Sequence, residues 1–165
     1  ATVSVALDIK PQFCPNPLNV SANGLLPVAV VGTDDFDVTS IDPASLTLAG
    51  VAPIHTAYED VAEPFFPLTD RINSYDCTLG GPDGLVDLTL KFRAQEVSAA
   101  LNALYGRPLV DGEVVAVAFN GALWPVDGQA QLIVGEDLVT IINNEPISSQ
   151  QTLKVDRSRG RSSSR

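Results

Sequence analysis

Gly80-Gly81-Pro82-Asp83-Gly84-Leu85-Val86-Asp87-Leu88-Thr89-Leu90-Lys91-Phe92 is a carboxylate-bearing loop that runs straight into a strand. Leu88, Leu90 and Phe92 alternate with Thr89 and Lys91, the two-residue period of a strand with one buried face. Ahead of them, Asp83 and Asp87 stand four apart around Gly84, which can turn sharply. Oxygen ligands along a glycine-bent loop, anchored by an apolar strand, are what a hard cation such as Ca2+ selects. Pro-Asp-Gly is also a turn sequence, so the same residues read equally as a polar hairpin turn.

Hydrophobic residues make up 45% of the 165, enough for one domain with a real core. No run approaches the roughly eighteen apolar residues of a membrane span. The chain contains no methionine, so Ala1 is expected to be a processed end of the kind left when a secretory signal is removed before a small residue. A secreted, extracellular or cell-surface protein is the corresponding expectation. Cys14 and Cys77 then read as one disulfide of an oxidising compartment, the alternative being two thiols.

Charge is distributed unevenly. Residues 154–165 carry Lys154, Arg157, Arg159, Arg161 and Arg165 against Asp156, a net +4, while residues 1–153 hold five basic and nineteen acidic side chains, a net −14. An acidic body that ends in a basic tail suggests attraction between the tail of one molecule and the body of another, or of the tail for an external polyanion; the body itself repels nucleic acid.

In chain order, Val3, Val5, Leu7 and Ile9 share one face of a strand over residues 2–9. Pro11, Pro15 and Pro17 make the segment around Cys14 irregular. After the Asn23-Gly24 turn, the apolar run Leu25 to Val31 predicts a central strand covered on both faces. Asp34, Asp35 and Asp37 read as a solvated bend rather than a second cation site. A short strand follows over 45–48, His55 reads as a surface residue without catalytic partners, and Phe65-Phe66 lies in a loop-like insertion from 61 to 77. Val97, Ala100, Leu101 and Leu104 recur at helical spacing and predict one helix over 95–104, stopped by Gly106 and Pro108. Beyond it, strands are predicted over 114–119, 132–134 and 138–142, with turns at Asn120-Gly121 and at Gly135-Glu136-Asp137. Many short strands and a single helix indicate an all-β antiparallel sandwich, jelly-roll or Ig-like, over 1–146. Residues 147–165 are too polar to fold alone and read as an extended basic, Ser-rich arm.

Four segments resemble a widespread family of bacterial and archaeal secreted-protein domains, found as repeats or C-terminal modules of surface proteins. They are LDIKPQFCPNPLNV (7–20), GLLPVAVVGTDDFDVTSIDPASLTLAGV (24–51), EDV (59–61) with GPDGLVDLTLKFRAQE (81–96), and VGEDLVTI (134–141). In many relatives the third segment is unbroken and looks like a calcium loop. The resemblance places Asp60 in the first ligand position, Asp83 in the fifth and Asp87 in the ninth, with residues 61–82 inserted between them and Gly81 where the loop's Asn would stand. It implies possible Ca2+ binding and no catalytic activity.

No G-x-S-x-G, H-E-x-x-H, phosphate-cradling glycine loop or Cys-His pair occurs, so the chain reads as a non-enzyme. Two function classes remain. One is an extracellular structural subunit that assembles head to tail into a helical filament, donating an arm that carries Leu153, Val155, Arg157, Arg159, Arg161 and Arg165 to a neighbouring copy. The other is a calcium-stabilised carbohydrate-binding or adhesion module of a larger protein, with Trp124 and Tyr75 as sugar platforms for a polysaccharide partner. Asn19-Val20-Ser21 matches the N-glycosylation pattern and makes Asn19 a candidate acceptor.

Overall fold

The computed structural model describes residues 2–143; the domain end expected at 146 and the arm over 147–165 lie outside the described residues. In chain order the strands are β1 (Thr2–Ser4), β2 (Ala6–Ile9), β3 (Pro17–Asn19), β4 (Leu25–Val31), β5 (Thr47–Leu48), β6 (His55–Glu59), β7 (Asp87–Arg93), β8 (Val114–Ala122) and β9 (Leu132–Ile142), with the helix α1 (Ala94–Tyr105) after β7. One sheet runs β1-β9-β8-β5 with β3 also on β9, and the other runs β2-β4-β7-β6. This is the expected all-β sandwich with one short helix. Most pairings are antiparallel, but β1 and β3 both run parallel to β9.

The alternation read from sequence fills the space between the sheets: Leu7 and Ile9 from β2, Leu26, Val28 and Val30 from β4, and Leu88, Leu90 and Phe92 from β7 all face one core with Val117, Phe119 and Ile141. As expected, β4 is a central strand, flanked by β2 and β7. α1 closes one end through Val97 and Leu101 and stops at Gly106, whose left-handed backbone (φ 69°) lets its N–H reach Ala103 O.

Several expectations need correction. Residues 2–9 form two strands: at Val5 the chain leaves the first sheet, after the Val5 N–H bonds Val134 O at 2.8 Å, and enters the second. Asn120-Gly121 does not turn, because β8 continues to Ala122, and the glycine is needed for closeness, since a Cβ there would sit 2.5 Å from Leu46 Cδ2. The 45–48 strand shrinks to β5, because Pro43–Ser45 is a single 3-10 turn capped by the Asp42 carboxylate on the Ala44 N–H. β3 and β6 carried no strand signal that was read.

The remaining correction identifies the centre of the molecule. Gly135-Glu136-Asp137 is not a break, for β9 runs unbroken through it with Asp137 buried. Its Oδ2 accepts from the Ile9 N–H and Asn16 Nδ2, each at 2.9 Å, while Oδ1 accepts from Arg71 Nη1 at 2.7 Å and the Leu138 N–H at 2.9 Å. Arg71 is equally buried, donating from Nε to Pro67 O and from Nη2 to Phe65 O, with its guanidinium over the Phe65 ring. The insertion expected from residue 61 is thus plugged into β9 by its one arginine.

Asp8 faces the same cluster. Burial, then the nearby Asp137 and Asp87 charges, push its carboxyl up to about 8 against the pull of Arg71. Burial also raises Asp137, to about 6, but four donors hold that carboxylate, whereas Asp8 Oδ2 has no hydrogen-bond partner among the described residues. Asp8 therefore carries the proton at neutral pH and Asp137 the charge. A carboxyl raised on folding contributes stability that is complete at low pH and is lost as pH rises from about 4 through about 8. Asp8→Asn is expected to remove that slope: Tm unchanged near pH 4 and raised at pH 8, by an amount on the order of 2 kcal/mol or more in urea titrations. Parallel pH profiles for the two proteins would disprove the assignment.

Candidate functional site

The insertion leaves the second sheet after β6 and returns at β7, so residues 60–62 and 83–87 meet at its neck. Asp60, Asp83 and Asp87 all lie there, as the sequence suggested, but each carboxylate faces backbone amides. Asp60 accepts from the Asp83 N–H at 3.1 Å and the Gly84 N–H at 2.7 Å. Asp83 accepts from the Leu85 N–H at 3.0 Å. Asp87, fully buried, takes the Gly32 N–H on Oδ1 at 2.8 Å and the Val61 and Ala62 N–H groups on Oδ2 at 2.8 and 3.0 Å. Burial raises the Asp87 carboxyl while those three amides oppose the rise.

Together the three carboxylates accept from six backbone amides. Both Asp87 oxygens point into the protein, and among the described residues no group of three or more His, Cys, Asp or Glu is arranged to hold a metal. As they stand, the three carboxylates act as a backbone clasp. Gly32 belongs to the clasp, for a Cβ there would collide with the Val86 carbonyl.

Cys14 and Cys77 are bonded, joining the proline-rich segment to the insertion across 63 residues. Cys14-Pro15 and Phe66-Pro67 are cis. Disulfide, Arg71 and clasp hold the insertion at three places, although its residues 60–86 contain no regular element. Phe65 packs beneath Arg71, but its neighbour Phe66 remains 64% exposed.

Phe66 belongs to a groove of about 640 Å³ between the insertion and the β1–β2 crossing. Val3, Val5, Phe36, Phe66, Leu68 and Leu85 are among its apolar lining, and Asp34, Asp35 and Asp83 supply its charged residues; among the described residues no Lys or Arg lines it. β1 forms one wall and is also the end strand of its sheet. The acidic bend at 34–37 is solvated as expected, with Asp37 capping the 3-10 turn Val38–Ser40 through the Thr39 N–H.

The other residues singled out are dispersed. His55 is exposed on β6, the end strand of the second sheet. Trp124 is 51% exposed in the β8–β9 connection and Tyr75 is 68% exposed in the insertion. Asn19 ends β3 half-buried, its Oδ1 accepting from the Ser21 N–H and hydroxyl. Leu153, Val155, Arg157, Arg159, Arg161 and Arg165 lie outside the described residues. Arg71 and the β1 edge were missed by the sequence reading. One signal for Arg71 was available: it is the only Lys or Arg between Lys10 and Lys91.

Asp87→Ala leaves three amides without their acceptor and is expected to cost about 3 kcal/mol in urea unfolding. With the clasp as built, Tm in EDTA and in millimolar Ca2+ should coincide; a rise of several degrees with Ca2+ would show that the neck opens to bind the ion.

The chain matches no protein-family model, no curated protein and no solved structure.

Proposed function

We propose that this protein is an extracellular structural subunit that assembles head to tail with copies of itself, each donating residues 147–165 as an extended strand to a sheet edge of the next. The observation that carries this reading is that, among the described residues, each sheet ends in a strand paired on one side only, β1 in one and β6 in the other. Unpaired N–H and C=O groups on such strands are templates for a strand from another chain. Residues 2–9 pair within their own body, which favours the C-terminal arm as the donated element over the N-terminal strand.

Charge supports the same reading. Residues 2–143 hold five basic and eighteen acidic side chains, and residues 144–165 five basic and two acidic. Of the five cations in the body, Arg71, Arg93 and Arg107 are paired with Asp137, Glu96 and Glu113. The body thus offers its acids largely uncompensated to a basic arm. Disulfide bonding is consistent with an oxidising, extracellular setting, and among the described residues no helix is long and apolar enough to cross a membrane.

A donor surface unlike its acceptor gives a contact that need not close on itself, so repetition yields a helical filament. Negative-stain microscopy of the full chain should show filaments, and deletion of residues 147–165 should leave a folded monomer by circular dichroism and sedimentation. Filaments that survive the deletion would reassign the donated strand. A full-length chain that remains monomeric at high concentration would end the proposal.

The half-exposed Trp124 favours one second reading, a polysaccharide-binding surface in which its ring stacks on a sugar face. Quenching or shift of its fluorescence by soluble oligosaccharides tests this.

A further inference from the structure

We infer that the groove beside β1 is the acceptor site for the arm, and that its occupant is residues 153–161 of a neighbouring copy. The inference rests on the strand-donation reading above and adds the address.

Three features of the groove fit that segment. The first is its backbone. The Val5 N–H bonds β9 at Val134 O, and in a parallel pair successive residues turn their N–H and C=O to opposite sides. Ser4, which lines the groove, therefore directs its N–H and C=O away from β9. An incoming strand finds a start for a ladder there.

The second is side-chain pattern. Leu153, Val155, Arg157, Arg159 and Arg161 are spaced by two, so in a strand they share one face, two apolar residues followed by three cations. The groove offers the complement, an apolar floor including Phe36, Leu68 and Leu85 and, among the described residues, the charged set Asp34, Asp35 and Asp83. Asp34 and Asp35 are exposed and free to meet an arginine, while the floor lies beside the partly exposed Phe66.

The third is position. β9 pairs with Ser4 at Val134 and ends at Ile142, eight residues on. At strand rise that is about 27 Å. The last described residues thus lie at the end of β9 away from Ser4. Both sides of β9 are already taken, by β8 along its length and by β1 and β3 at its two ends, so an arm folding back along its own β9 would find no ladder beside it. A copy stacked in line would bring its own groove to that end.

Charge exchange in the full-length chain tests the address. The paired change Asp34→Lys and Asp35→Lys is expected to raise the critical concentration for assembly at least tenfold by sedimentation, as is Arg157→Glu with Arg159→Glu. An equimolar mixture of the two variants should co-assemble, or the four changes in one chain should restore polymer. Mixing a Ser4→Cys chain with a Val155→Cys chain should yield a covalent dimer under mild oxidation. If wild type assembles but the aspartate reversal leaves the critical concentration unchanged, or if Thr56→Cys on β6 captures Val155→Cys and Ser4→Cys does not, the groove is the wrong acceptor and strand donation stands. If Ser4→Cys and Val155→Cys link only when both are in one chain, the occupant is the molecule's own arm and the inference fails. No assembly of wild type at any concentration removes both readings.

Discussion

A single carboxylate holds the parts of this protein in register. Asp137 sits buried in the longest strand and uses both oxygens twice, on the backbone of Ile9, the side chain of Asn16, the guanidinium of Arg71 and its own neighbour Leu138. Those four donors come from β2, the proline-rich segment, the insertion and β9, so one side chain ties together four separate pieces of the chain. A buried ion pair of this kind adds little net stability compared with a hydrophobic replacement, but removing one partner strands the other charge and costs several kcal/mol. Its use is specificity, because only one placement of the insertion satisfies both Arg71 and Asp137.

The neck clasp and the disulfide complete that placement. Asp60 and Asp87 bind backbone amides on opposite sides of the neck, so the insertion's two ends are tied to each other and, through Gly32, to the end of β4. Bridging Cys14 to Cys77 restricts the unfolded chain over a long loop, a contribution that grows with loop length. A segment without helix or strand is thereby made rigid enough to wall a groove. Insertion and groove are two aspects of one construction.

Much of this was legible in the residues. Leu88, Leu90 and Phe92 announced β7, the run from Leu25 gave β4 and its central place, and Val97 with Leu101 and Gly106 located α1 to within a residue at each end. The misreadings share one cause, that local rules cannot see a partner distant in sequence. Asp137 looked like part of a turn because its cation lies 66 residues away. Gly121 looked like a turn because closeness to Leu46 and freedom of backbone ask for the same residue. Asp60, Asp83 and Asp87 do meet at the neck, but the six backbone amides they share there come from residues that spacing alone does not bring to them. β3 and β6 went unread because a strand of three residues has too few positions to show a period, and His55–Glu59, exposed at nearly every position, has no buried face to alternate.

The parallel pairing of β1 with β9 bears on how such a body would carry tension. Thr2, Val3 and Ser4 lie beside Leu132, Ile133 and Val134, and β9 then continues to the far end of the sheet, paired over nine residues with β8. A pull applied at the β1 edge and at the exit of β9 acts along these strands rather than across them. The ladder is then loaded in shear, where its hydrogen bonds must yield together instead of opening one at a time from an end. Rupture under load is governed by the unfolding rate rather than by equilibrium stability. In an assembly of the proposed kind the sandwich would act as a tie-rod, loaded along its longest strand.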